Sequence, residues 1–157
     1  MRHGLTRVLP YPAGDLFDLV SDVESYPKFV RWVSALRAWN RQSLGEGVTC
    51  LDAEAKVRFG PIGERFTTRV TMDRPSLAID VALLSGPFRQ LENHWRFAPT
   101  SEGTRLSFDI DFELRSLLLE RLLDANANRA VAALVRCFED RAANLYGGNA
   151  WNRPAGS

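Results

Sequence analysis

Three stretches of this sequence alternate strictly between apolar and polar residues, and they restrict the fold more than any other feature. The stretches are LDAEAKVRF, RFTTRVTM and LSFDIDFEL, at residues 51–59, 65–72 and 106–114. Because successive residues of a strand point to opposite faces of a sheet, each stretch predicts a strand with one apolar and one polar face. Such strands are typical of an antiparallel sheet with one face in water. The apolar face must then be covered by another part of the chain.

The pattern changes after Ser116, where apolar residues recur at a spacing of about 3.6 and predict a helix of about 30 residues. The predicted apolar face consists of Leu119, Leu123, Ala127, Ala130, Val131, Leu134, Phe138, Ala142 and Leu145. Ser116 is suited to cap the start of this helix, and Gly147 and Gly148 are suited to end it. The tail at residues 147–157, with Trp151, is predicted to be disordered.

Turn residues separate the remaining elements and define their order along the chain. A short strand at residues 5–10 is followed by a helix that opens at Pro12 and by a very short helix around Pro27. Ser21 and Glu24 have the spacing of a capping box for the second helix. Six further strands are predicted near residues 36–42, 48–59, 64–73, 77–84, 88–98 and 104–114.

This order predicts an α+β, helix-grip fold within a single domain at residues 1–146. A seven-stranded curved antiparallel sheet would wrap around the long C-terminal helix, because that helix is the only element large enough to cover the apolar face. The two short helices would lie between strands 1 and 2.

Composition excludes several classes of function. A chain of 157 residues with a net charge of +1 is expected to form one domain, and its small charge argues against nucleic-acid binding by bulk charge. No apolar run approaches the ~20 residues of a membrane span, and the first residues lack the apolar stretch of a secretory signal. Cys50 and Cys137 have no Cys-x-x-Cys spacing, which predicts free thiols rather than a disulfide framework or a zinc site.

Few side chains have the setting that catalysis needs, and we predict a protein that is not an enzyme and has no cofactor or metal. Neither His3 nor His94 has a metal-binding partner at i+4 or a serine in a nucleophile elbow. His94 falls on the polar phase of its strand, which favours a solvent-side position over a ligand donor. Asp109, Asp111 and Glu113 share a strand face at about 7 Å spacing, which indicates a solvated face paired with arginines rather than a cation site.

Large aromatic residues are concentrated on the apolar phase of the strands and in the segment SYPKFVRWV, which we call the elbow (residues 25–33). The inward strand positions hold Phe59, Phe66, Trp95, Phe97, Phe108 and Phe112. The elbow residues Tyr26, Phe29 and Trp32 are expected over the open edge between sheet and helix. Two interpretations stay open: these rings fill the core, or they line a cavity for an apolar ligand.

Four segments of the chain resemble, in order and spacing, the coenzyme Q-binding proteins of the START-like (polyketide cyclase) superfamily. They are LPYPAGDLFDLVSDVESYPKFV, RFTTRVTM, LLSGPFRQLENHWRFAP and RLSFDIDFEL. The same subfamily includes bacterial ribosome association toxins, and the resemblance covers roughly residues 3–146. The most specific matches are Ser25-Tyr26-Pro27 with Phe29, Gly86-Pro87-Phe88, and Trp95 with Phe97. Arg31 and Val33 depart from the family, which often has a proline and a cysteine near Trp32.

The resemblance implies a lipid chaperone for respiration that holds ubiquinone, a polyprenylated quinone, between sheet and helix. The expected ligand-binding residues are Tyr26, Phe29, Trp32, Phe59, Phe66, Trp95, Phe97, Phe108, Phe112, Leu123, Ala127 and Leu134. Pro27 in the elbow and Ile62 at a hairpin tip are expected to form a gate that touches a membrane. Candidate donors to the head group are Tyr26, His94 and the indole of Trp32 or Trp95.

Two other functions remain open at this stage. One is binding to a ribosomal subunit, with inhibition of translation, through a basic strip of Lys28, Arg31, Arg37 and Arg41. The other is an enzyme of the polyketide cyclase or aromatase type, which needs acid and base groups that the apolar face scarcely offers. The protein is expected to be a monomer in the cytoplasm, with a peripheral position at the inner membrane as the alternative.

The stretch LDANANRA contains three mediocre helix formers, Asp124, Asn126 and Asn128, within the long helix. They predict either a loosened segment that lets the first half of the helix lift from the sheet, or side chains that simply face water.

Overall fold

The computed structural model describes residues 1–59 and 61–147, without the side chains of Phe59 and Ile62. The elements are β1 (Arg2–Leu9), α1 (Ala13–Ser21), a 3₁₀ helix (Val23–Lys28), β2 (Val33–Gly45), β3 (Val48–Phe59), β4 (Ile62–Asp73), β5 (Ala78–Ser85), β6 (Phe88–Thr100), β7 (Gly103–Leu114) and α2 (Leu117–Tyr146). This is the predicted order. The predicted disorder after Gly147, and Trp151 with it, falls outside the described residues.

The strands form one antiparallel seven-stranded sheet in the order β1-β7-β6-β5-β4-β3-β2, as predicted. The first strand therefore closes the sheet beside the last one. A register shift between Trp39 and Gln42 interrupts the pairing of the edge strand β2, where Asn40 has a φ of 57°. Bulges of this kind bend a strand and increase its twist, which curls this edge of the sheet.

Helix α2 lies in the concave side of the sheet and packs mainly against β1, β7 and α1, which confirms the helix-grip arrangement. Its buried residues are Ala127, Val131, Val135, Phe138 and Ala142. The predicted apolar face differs from the buried face in two ways. It includes Ala130 and Leu145, which are exposed, and it omits Val135, which is completely buried. Among the described helices, none has both the length and the apolar character needed to cross a membrane.

The helix ends agree with the predicted signals at α2 but not at the 3₁₀ helix. Leu119 N–H donates to Ser116 Oγ at 3.3 Å, and α2 ends before Gly147. The predicted capping box is wrong: Ser21 is the last residue of α1, and Glu24 instead pairs with Arg41 at 3.0 Å. The physical reason is that α1 runs into the 3₁₀ helix with one residue between them, which leaves no separate N-terminus for Ser21 to cap. Both cysteines are free, as predicted.

Candidate functional site

The concave face of the sheet is tightly covered at one end of its strands and only half-buried toward the other end. Leu51, Ile79 and Leu106 are fully buried. A second group of inward residues remains half-buried: Val57, Phe66, Val81, Leu83, Phe88 and Asn93. This second group lies toward the end of β3–β6 that carries the β3–β4 and β5–β6 turns, whereas α2 packs mainly on β1 and β7. We call the space above this second group, bounded by the first half of α2, the groove.

Two packed clusters of apolar side chains flank the groove. The larger one joins α1, the deep rows of the sheet and the second half of α2. The smaller one is built on Leu91, Phe112 and Leu114, with Leu119 and Leu123 from the start of α2 packed against it. The first half of α2 therefore rests on a small apolar contact, while its second half belongs to the main core.

Aromatic rings line the groove across neighbouring strands. The ring of Phe88 lies 5.6 Å from that of Phe66 and 6.4 Å from that of Phe112. Gly86, in the turn between β5 and β6, allows this arrangement because a Cβ at this position would lie 2.6 Å from Phe66 Cβ. Its φ of +151° is also rare for residues with a side chain.

The predicted ligand-binding residues of the strands divide between the groove and the main core. Phe66 and Phe112 lie at the groove, together with Leu123 from α2. Trp95, Phe97 and Phe108 are in the main core, although sequence alternation assigns them the same face. In the main core Trp95 lies 4.6 Å from Phe108 and 4.9 Å from Phe138. Further along α2, Ala127 is buried and Leu134 is half-buried. The side chain of Phe59 is outside the described part of the structure.

The elbow packs against the second half of α2 rather than over an open edge. The rings of Tyr26 and Phe29 each lie 5.1 Å from the ring of Phe138, and Trp32 packs against the main core. Tyr26 O–H donates to the carbonyl of Val20. Burial, with a smaller effect of the nearby Asp22 carboxylate, raises the pKa of the Tyr26 phenol far above its usual value. The space under these rings is filled by protein.

This placement also bears on the predicted gate. Pro27 is half-buried inside the 3₁₀ helix, next to Tyr26, and the side chain of Ile62 is outside the described part of the structure. Side chains three residues apart lie on the same side of a 3₁₀ turn, and Tyr26 and Phe29 both contact Phe138. The gate between Pro27 and Ile62 therefore stays a prediction.

On the convex face His94 and Asp111 have partners, whereas the buried Asp109 Oδ1 has none among the described residues. His94 Nδ1 lies 2.5 Å from Asp80 Oδ1, which confirms the solvent-side position of His94 and directs its ring away from the groove. Burial raises the pKa of Asp80, but hydrogen bonds from His94 and Arg96 outweigh that effect, so its pKa is lowered. In the acidic row of β7, Asp111 pairs with the Met1 ammonium group at 3.4 Å rather than with an arginine.

Asn93 is a groove residue that sequence reasoning missed. Its Oδ1 atom is buried and has no hydrogen-bond partner among the described residues. The signal is present in the sequence, because the alternation that turns Leu91 and Trp95 inward also turns Asn93 inward. An unsatisfied buried polar atom costs about 1–3 kcal/mol in a folded protein. An amide in an apolar groove is the kind of polar contact that orients a ligand.

The convex side of the β3–β4 hairpin carries exposed cations. Lys56 lies directly opposite Arg65 in the register, and Arg58 is two residues further along β3. Within the described residues, none of these three side chains forms an ion pair. Two members of the predicted basic strip are paired instead, since Arg37 lies 3.8 Å from Glu54 and Arg41 pairs with Glu24.

A curved antiparallel sheet that grips a long helix, with an apolar groove between them, defines a START-like protein. The chain belongs to the polyketide cyclase / dehydrase and lipid transport family, whose model matches residues 9–139. The resemblance seen in the sequence is thereby confirmed.

Individual relatives carry two kinds of name. The ribosome association toxin RatA of Pseudomonas aeruginosa is 37% identical over 141 residues, which cover 89% of this chain and 94% of the toxin. The mitochondrial coenzyme Q-binding protein COQ10 homolog B of Xenopus laevis is 31% identical over 147 residues, which cover 90% of this chain and 58% of that protein. The solution structure of the 18 kDa protein CC1736 from Caulobacter crescentus has a TM-score of 0.81 at 48% identity, covering 94% of this chain and 99% of CC1736.

Proposed function

We propose that this protein binds a polyprenylated quinone such as ubiquinone in the groove and acts as a lipid chaperone for respiration. The observation that carries the proposal is the half-buried apolar face of β3–β6 beside the first half of α2. The lipid-transport family and the coenzyme Q-binding relative support it. Asn93 and Thr68, in the middle of this face, are neither acids nor bases at neutral pH. Glu64, opposite Val57 in the register, adds a carboxylate at its edge but no acid-base pair among the described residues, which supports binding rather than cyclase chemistry.

The apolar tail would provide most of the affinity. Each five-carbon isoprenoid unit contributes on the order of 3 kcal/mol when buried, at about 0.8 kcal/mol per methylene group. The ordering of tail and helix opposes part of this gain. A few buried units are therefore enough for stable retention.

The start of α2 is suited to collect such a ligand from a bilayer surface. Leu117, Leu118 and Leu122 are 72%, 71% and 53% exposed, and they alternate along the helix with Leu119 and Leu123, which pack against the smaller cluster. Exposed apolar side chains that are continuous with an apolar groove mark a surface for contact with lipid. Transient membrane contact through these leucines is part of the proposal.

The ligand is tested by organic extraction of the purified protein followed by mass spectrometry. We expect a quinone with an isoprenoid tail to co-purify, or to be taken up when ubiquinone is supplied in vesicles. A protein that neither carries nor takes up any quinone would contradict the proposal.

The contact surface is tested by the rate of quinone transfer from vesicles. Leu118→Glu combined with Leu122→Glu should slow the transfer, because two carboxylates oppose contact with lipid. Leu44→Glu is the matched control, since Leu44 is 59% exposed at the distant end of β2. Equal transfer rates in all three proteins would exclude this surface.

A second function, binding to a ribosomal subunit, is favoured by the three unpaired cations on the convex face. Like charges directly opposite each other destabilise a sheet, so Lys56 facing Arg65 indicates a surface adapted to a polyanion. The RatA relatives, named ribosome association toxins, support a ribosomal subunit as the particle that carries this polyanion. A protein surface that binds the phosphate backbone of a nucleic acid does so with marked salt dependence.

Co-sedimentation with ribosomal subunits at low and moderate salt tests this second function. Lys56→Glu combined with Arg65→Glu should abolish co-sedimentation. Arg129→Glu combined with Arg136→Glu makes the same change of charge on the exposed side of α2 and should have little effect. Co-sedimentation that is insensitive to both pairs would exclude the convex surface.

A further inference from the structure

We propose that Asn93 holds the polar end of the groove's ligand by a hydrogen bond. This inference rests on the proposed binding of a lipophilic ligand, and it adds the direction in which the ligand lies and the chemistry of its head group.

Asn93 and His3 belong to one row of inward positions across the sheet. The register pairs Val81 with Asn93, Asn93 with Ile110, and Ile110 with His3. Neighbouring strands are about 4.8 Å apart, so the backbones of Asn93 and His3 are separated by about 10 Å. Ile110 lies between them as an apolar floor. The row continues through Val70 to Leu51, which are both buried.

Asn93 leaves one buried atom, Oδ1, without a partner among the described residues, whereas both ring nitrogens of His3 face side chains of α2. His3 Nδ1 is 3.1 Å from Asn128 Oδ1, while His3 Nε2 is buried and lies 3.4 Å from Asp124 Oδ1 without hydrogen-bond geometry. Buried polar atoms in folded proteins nearly always have a partner. A buried amide oxygen without a partner on an otherwise apolar face is explained by a ligand that supplies the missing partner.

The donor and acceptor groups define the head group. An asparagine amide donates through its N–H groups and accepts through its oxygen, so it can bind either a carbonyl or a hydroxyl group. The row contains no arginine or lysine, which are the residues that recognise phosphate and carboxylate groups. A neutral head group with carbonyl or hydroxyl oxygens therefore fits, in either its oxidised or its reduced form.

Burial indicates how the ligand lies. On one side of Asn93 the inward residues Ile79 and Trp95 are buried in the main core. On the other side Leu91 is buried in the smaller cluster, while Leu83 and Phe88 are half-buried. The polar end would therefore reach Asn93 at the closed side of the groove. The tail would extend past Leu83 and Phe88 toward its open side.

Asn93→Leu removes the amide while keeping a side chain of similar size. Two probes that share a decyl tail but differ in the polarity of the head group then separate polar from apolar contributions to binding. The probes are decylubiquinone and decylbenzene, with affinities measured by equilibrium dialysis. We expect the substitution to weaken binding of decylubiquinone by about tenfold, the equivalent of one lost hydrogen bond, and to leave decylbenzene unchanged. Thermal stability should stay equal or rise, because leucine leaves no unsatisfied amide.

Ser21→Ala is the matched control, because Ser21 Oγ is also buried without a partner but lies in α1, away from the groove. It should change neither affinity. Equal losses for both probes, or a marked loss of stability in Asn93→Leu, would show that Asn93 shapes the groove and would overturn the anchor. Unchanged decylubiquinone affinity would also overturn it, whereas wild-type protein that binds neither probe would overturn the proposed function together with the anchor.

Discussion

At the scale of single residues, the polar side chains that matter most are those that the sheet buries. Asp52 is 7% exposed and accepts hydrogen bonds from Arg69 Nε and Asn40 Nδ2, each at 3.0 Å. The bond from Arg69 first, and then the bond from Asn40, lower the pKa of Asp52. Because Asn40 is the left-handed residue of the β2 bulge, this carboxylate also ties the curled edge to β4.

Asp52 should therefore contribute stability that depends on pH. A carboxyl group with a lowered folded pKa stabilises the protein above its ordinary pKa, near 3.8, and loses this contribution as the pH falls through the folded value. Asp52→Asn should lower the melting temperature at pH 7, and the difference from wild type should shrink as the pH falls below 3.8. Thermal melts across this range measure it, with the exposed Asp140→Asn as control. A constant difference at every pH would contradict the assignment.

At the scale of elements, the shape of the groove depends on how closely the turn between β5 and β6 approaches β4. The turn between β5 and β6 passes against Phe66, and only a glycine leaves room for that contact. The alternating sequence identifies Phe66 as inward, but it contains no information about the turn that presses on it. The close approach of Gly86 to Phe66 arises only when the β5–β6 turn and β4 come together in the folded sheet.

Gly86→Ala should destabilise the protein by about 1–3 kcal/mol, since it adds both backbone strain and a clash with Phe66. Gly45→Ala separates the two effects, because Gly45 has a similar φ of +155° but nothing within 4 Å of an added Cβ. Chemical denaturation of both variants measures the difference. If the two substitutions cost the same, the contact with Phe66 does not contribute.

At the scale of the whole molecule, α2 is held unevenly along its length. Its second half is buried in the main core through Val131, Val135 and Phe138, while its first half rests on the smaller cluster. Asp124, Asn126 and Asn128 are all exposed, as the second interpretation of this segment predicts. Asp124 and Asn128 also contact His3, and Asn126 Nδ2 donates to the carbonyl of Leu122. These few contacts attach the first half of the helix to β1.

Hydrogen exchange should reflect this difference. Amides of residues 117–126 should exchange faster than those of residues 131–142, because local opening of the first half breaks few buried contacts. A quinone bound in the groove should slow exchange in the first half and leave the second half, the internal control, unchanged. Uniform protection along α2 would show that its first half does not lift from the sheet.

The sequence by itself determined the type and order of the elements in this protein. The period of two in residues 51–59 and 106–114 and the period near 3.6 after Ser116 follow from local backbone geometry, so they identify the strands and the long helix without tertiary information. The bounds differ from the structure by a few residues, as for β1, which begins at Arg2.

Only the tertiary structure decided which inward residues are covered by other side chains and which stay half-buried. Trp95 and Phe66 are both apolar-phase aromatics in the sequence, yet the first is buried against Phe138 and the second remains half-buried. The difference arises because α2 crosses one side of the curved sheet, and burial depends on that crossing rather than on alternation. Likewise, the sequence does not show that Asn93 Oδ1 lacks a partner. That becomes clear only in the fold, which removes water from this atom and places no described hydrogen-bond donor beside it.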